Sequence, residues 1–181
     1  GLIDRDAVSK AKGIIREALL SALDDDVMFD RWFGSHVTRS RRDHTNYPMA
    51  MDEEDGLSFG YRTAEDVTAG VKRAFRRQQE ARAGGTGDDG VGEVGPFVYH
   101  AEALTFAFVE HEGVGSGLTL FVDGNPFPLP NELAPLVGVL CAAPRLSPWD
   151  LGPSLEGENG EGATELLHLL LKEGYLYPAD D

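Results

Sequence analysis

The chain has 181 residues and is 41% apolar, which fits a globular protein and excludes a disordered one. Its formal net charge of −15 is unevenly spread: residues 1–95 hold 14 Lys/Arg against 18 Asp/Glu, whereas residues 96–181 hold only Arg145 and Lys172 against 13 acids. A surface with two cations is a poor reader of a phosphate backbone, so the second half should repel duplex DNA and anionic membranes alike.

Over residues 4–23, Ala7, Val8, Ala11, Ile14, Ile15, Ala18, Leu19 and Ala22 recur at three- and four-residue steps and predict an amphipathic helix. Asp4 and Asp6 stand at its start, where acids suit the helix dipole. The acids at 24–26 end it and cap a second helix whose apolar face is Val27, Met28, Trp32, Phe33 and Val37. A basic exit (Arg39, Arg41, Arg42) leads into an irregular stretch through Tyr47, Pro48 and the acids at 52–55. Thr63, with Asp66 three residues on, starts a third helix over 64–82. It carries Val67, Val71, Ala74 and Phe75 on one side and Lys72, Arg73, Arg76 and Arg77 around the rest. Residues 83–95 hold six glycines and predict a flexible linker between a helical region, 1–82, and a second region, 96–181.

Beyond the linker, residues 104–109 alternate like a strand, and residues 113–117 loop back into an apolar strand at 118–122. Asp123-Gly124 predicts a type I′ turn, with the chain returning through Phe127 and Leu129. A helix-like run spans 131–142 and includes Cys141, read as a small buried thiol. Ser147-Pro148 starts a short helix that Pro153 and an acidic loop at 157–162 should end. The last helix, 163–173, stops at Gly174, a left-handed cap, before a short closing strand at 175–177. The expected fold class is α+β and mostly helical: an N-terminal helical segment, then the strand, turn, strand, helix and closing strand of a winged-helix domain.

Chemistry-bearing residues are sparse. His100, Glu102 and His111 spell a two-His-one-carboxylate pattern, but the third ligand follows Glu102 by nine residues and no enclosing barrel is present. The polar ends of a hairpin account for them better. His36 and His44 have no zinc spacing, His168 reads as a helix-face residue, the lone cysteine precludes a Cys-x-x-Cys site, and no phosphate-binding or nucleophile-elbow pattern appears. The Arg/Lys positions of the first half read as a solvated face paired with acids; the alternative is a patch facing RNA or a dimer partner. Trp32, Phe33, Val8, Ile15 and Leu19 exceed what two short helices bury alone, so self-association is expected, with Trp32 and Phe33 at the interface. No apolar run nears the roughly 18 residues of a membrane span and no signal-peptide pattern opens the chain, so the expectation is soluble and intracellular, cytoplasmic or (in a eukaryote) nuclear. Gly1 in place of an initiator Met suggests a processed chain or an excised piece.

Three segments carry a family resemblance. The run 29–38 (FDRWFGSHVT) resembles the helix that follows the catalytic barrel of the JmjC-type, cupin-like ribosomal oxygenases. The run 120–124 (LFVDG) with Phe127 resembles the hairpin of that family's winged-helix domain, and 167–177 (LHLLLKEGYLY) its last helix and closing strand. The resemblance implies dimerisation helices over 1–82 and a winged helix over 96–181. It also implies a parent protein hydroxylase that uses Fe(II) and 2-oxoglutarate in a barrel preceding this region, with no cofactor in this chain. The implied partners are a second copy and a protein substrate, a ribosomal protein among the candidates. The structural positions it favours are Trp32 and Phe33, the turn residues Asp123 and Gly124, and Gly174. The alternative from another class is a free-standing acidic winged-helix adaptor that binds proteins. A nucleic-acid regulator is disfavoured by charge.

Overall fold

The acidic run at 24–26 separates two helices, α1 (Arg5–Leu23) and α2 (Asp26–Thr38). Asp25 caps the second, its carboxylate accepting from the Met28 amide at 3.0 Å. Helix α3 (Ala64–Ala83) starts where Thr63 accepts from the Asp66 amide at 3.1 Å. Then come β1 (Phe97–His100), β2 (Phe106–Glu110), β3 (Gly117–Val122) and β4 (Asn125–Pro130). A 3-10 turn leads into α4 (Ala134–Ala142), followed by β5 (Arg145–Leu146), α5 (Pro148–Glu156), α6 (Gly160–Lys172) and β6 (Leu176–Ala179). The computed structural model describes residues 5–39, 63–83, 95–102, 104–111 and 117–179. The irregular stretch with Arg41, Arg42 and His44, most of the glycine linker and nearly all of the 113–117 loop lie outside the described residues.

Among the described residues the fold is α+β and mostly helical, with six α-helices and two three-stranded antiparallel sheets, ordered β5-β1-β6 and β2-β3-β4. Strand β1 was not legible in sequence. Phe97 and Val98 are both buried, so it lacks the alternation of a half-exposed strand, yet it sits centrally between β5 and the closing strand. Helix α5 also departs from expectation, running through Pro153 to Glu156. A full capping box on Ser147 and Asp150 secures its start, and the buried Leu151 and Leu155 hold both sides of the proline against the core. A proline here forfeits one backbone hydrogen bond. The acidic loop is shorter than expected, because α6 already begins at Gly160, with the Ala163 amide donating to the Asn159 carbonyl at 3.0 Å.

The core is built from Leu118, Leu120 and Val122 of β3, Leu136 and Leu140 of α4, Leu151 of α5, and Leu167, Leu170 and Leu171 of α6. Each is essentially inaccessible, and full burial of such a side chain stabilises by about 1.5–3 kcal/mol. Val67 and Val71 of α3 belong to the same cluster. Two of the α3 cations reach α5 and α6: Arg76 makes a bidentate contact to Glu156, and Lys72 donates to Thr164 Oγ1 at 3.0 Å. The helical and second regions thus share one hydrophobic core through α3. No described helix is long and apolar enough to cross a membrane.

Candidate interaction surface

Helices α1 and α2 pack on each other yet leave their apolar stripes uncovered. Ile14, Ile15, Leu19, Leu20 and Leu23 of α1 are at least half exposed. On the outer side of α2, Met28, Trp32, Phe33 and Val37 range from 45% to 59% exposed, an apolar excess that monomeric proteins rarely leave in water. Aromatic contacts organise the α2 part. Phe29 lies 5.8 Å from Trp32 and 6.0 Å from Phe33, and His36 stacks on Trp32 at 5.4 Å. Trp32 and Phe33, the residues expected at an interface, are therefore both in this face.

The opposite side of α2 rests on the β2-β3-β4 sheet. Side chains alternate along β3, so Leu118, Leu120 and Val122 point to the core and Phe121 to the other face. Phe121 is fully buried, and Gly34 lies against its ring so closely that a Cβ would overlap it. One turn on, the buried Thr38 hydroxyl donates to the Gly34 carbonyl at 2.8 Å and accepts from the Gly124 amide at 3.0 Å. Toward its N-terminus, α2 places Val27 and Arg31 across an open groove of about 540 Å³ from His111, Thr119, Pro126 and Pro128.

The hairpin is built to receive that contact. Asp123 and Gly124 have φ of 48° and 82°, both positive as a type I′ turn requires. Val122 and Asn125 close the turn, so the prolines 126, 128 and 130 fall at positions whose nitrogens point away from β3. Three prolines therefore cost no bond to β3 and leave the outer edge of β4 without donors at those positions, a poor template for strand addition. Gly174 also has positive φ, 73°, where α6 ends.

The polar candidates are dispersed. His100 ends β1, its ring 4.0 Å from Phe106, and its Nε2 is buried with no hydrogen-bond partner. Burial pushes its pKa down. Glu102 is exposed beyond the strand, and His111 Nε2 lies 2.9 Å from Thr119 Oγ1. Among the described residues no three His, Cys, Asp or Glu side chains form a group able to hold a metal. His168 of α6 faces α3, 3.6 Å from Glu65, and burial lowers its pKa, opposed by Glu65 and helped by Lys172 and Lys72. Cys141 is half-buried, its thiol pushed up to about 11 by burial. Of the remaining cations, Arg82 lies over the Trp149 ring, Arg145 over Phe97, and Arg39, Arg73 and Arg77 are exposed.

Sequence reasoning found the exposed aromatics and the turn but missed Gly34, Thr38 and Phe121, which join them. A glycine inside an otherwise helical pattern was the available signal, since it often marks a close packing contact.

No family model and no curated protein matches the chain. Solved structures that share its fold include two from Escherichia coli. The X-ray structure of E. coli ycfD superposes with a TM-score of 0.54 at 15% identity, over 99% of this chain and 36% of that one. The crystal structure of the Escherichia coli ribosomal oxygenase YcfD gives 0.55 at 15% identity, over 99% and 37%. The chain thus spans little more than a third of the length of these proteins, and at such identity the likeness establishes one thing: a ribosomal-oxygenase-related fold.

Proposed function

We propose that this chain is the non-catalytic C-terminal region of a JmjC-like, 2-oxoglutarate- and Fe(II)-dependent protein hydroxylase, pairing two copies of the enzyme through α1 and α2. The observation that carries the reading is the uncovered apolar face of those helices, with Trp32 59% and Phe33 51% exposed. Burying such side chains against a second copy supplies the largest favourable term in association. The fold shared with a ribosomal oxygenase supports the enzymatic context. In this reading residues 96–181 form a winged helix that braces the catalytic barrel or presents a protein substrate, of which a ribosomal protein is one candidate. Their charge, two cations against 13 acids, argues against duplex DNA as the ligand.

The iron and 2-oxoglutarate implied for the parent enzyme do not fit the described residues here, since no three metal-ligating side chains converge. The chain's part is to hold two copies together and keep the hairpin in place.

The enzymatic context is tested by the intact mass and iron content of the protein isolated from its native cell. A polypeptide well above 19.6 kDa with about one iron per subunit supports it. A protein of that mass without iron replaces it with a free-standing adaptor.

A further inference from the structure

Helix α2 has two occupied sides in the proposed assembly, an outer side for a second copy and an inner side clamped to the β3–β4 turn. We infer that association of two copies through the outer side fixes the β3–β4 hairpin, with Thr38 as the positioning residue that couples them. The inference rests on the dimer reading.

The coupling follows from where one hydrogen atom goes. In a two-residue hairpin turn the amide of the second central residue has no strand partner. Gly124 is that residue, and its amide donates to Thr38 Oγ1 at 3.0 Å. The hydroxyl spends its own proton on the Gly34 carbonyl at 2.8 Å, one turn back in α2. Gly34 in turn sits on the Phe121 ring, on the strand leading into the turn. The chain Phe121, Gly34, Thr38, Gly124 closes a loop between helix and hairpin that exists only when α2 is helical and seated. Thr38 is 1% exposed, so water does not replace its hydroxyl while the helix stays docked.

Helix α2 has 13 residues, a length marginal in isolation, and its outer face is uncovered in a single copy. A second copy that covers this face stabilises the seated helix, and whatever stabilises the seated helix holds the Gly124 amide. Linkage makes the effect reciprocal: breaking the clamp must weaken association by the factor by which association strengthens the clamp.

The test is amide hydrogen exchange of the 181-residue chain at protein concentrations spanning the dimer dissociation constant, with sedimentation run in parallel. In the wild type, exchange at Gly124 should slow by about fivefold or more on dimerisation, within the usual range of coupling. Thr38→Val, which keeps the shape and removes the hydroxyl, should abolish that dependence and loosen the dimer by a similar factor. Thr38→Ser should restore both. A dimer whose Gly124 exchange ignores concentration overturns the coupling and leaves the dimer standing. So does a Thr38→Val chain that exchanges faster at every concentration yet dimerises as the wild type does. A chain monomeric throughout overturns the inference together with the dimer reading.

Discussion

Replacing Gly34 by Ala sets two effects of known size against each other. Gly34 lies within α2, where the change should stabilise a helix by about 1 kcal/mol if nothing touched the new methyl. The methyl would instead overlap the ring of Phe121, which is fully buried between α2 and the sheet. Overpacking of this kind costs about 1–3 kcal/mol. Displacing α2 also stretches the Thr38–Gly34 and Gly124–Thr38 hydrogen bonds, each worth about 1 kcal/mol. Packing wins, and with both hydrogen bonds lost a net loss of roughly 2–4 kcal/mol is expected. Urea unfolding at fixed chain concentration should show a lower midpoint with an unchanged slope. In a double-mutant cycle, Phe121→Leu should cost less in the Gly34→Ala background than alone, because the two changes share one contact. A midpoint raised by the propensity gain would refute the seating of α2 on Phe121.

Three further outcomes follow from the same geometry. Gly124→Val forces a β-branched residue into φ of 82° and brings its Cβ within 3.1 Å of the Ser35 carbonyl. Strain alone costs about 1–2 kcal/mol, so an unchanged melting temperature would contradict the turn. Burial depresses the pKa of both His100 and His168, so the unfolded chain takes up protons below about 6.5 while the folded chain resists them. Stability should therefore fall as the pH drops through about 6.5, less steeply in His168→Gln, and a flat profile would dismiss the burial argument. Arg76 is mostly exposed, so Arg76→Ala should cost under about 1 kcal/mol despite its bidentate contact with Glu156, as a melting series can show.

What the sequence revealed was whatever rests on local signals. The stripe of α1, the Asp25 cap, the Thr63 start of α3, the Asp123-Gly124 turn and the Gly174 cap are each readable within a few residues. Strand β1 was invisible because its meaning is non-local: Phe97 and Val98 are buried by β5 and β6, which lie about 45 to 80 residues further along the chain. Pro153 misled for the same reason, since the core holding α5 together across it is tertiary. At the candidate surface, Trp32 and Phe33 stood out as apolar excess. Thr38 did not, because a threonine near a helix end looks ordinary until Gly124, 86 residues away, is seen to donate to it.

The outer face of α1 and α2 as the seat of a second copy is tested most directly by sedimentation equilibrium of the 181-residue chain beside its Trp32→Asp, Phe33→Asp variant. Both side chains are exposed and outside the core, so the variant should fold with the wild-type circular dichroism and pH response. The wild type should approach twice the 19.6 kDa chain mass with rising concentration, and the variant should stay at 19.6 kDa. A wild type that remains monomeric, or a variant that pairs as tightly as the wild type, would contradict the account.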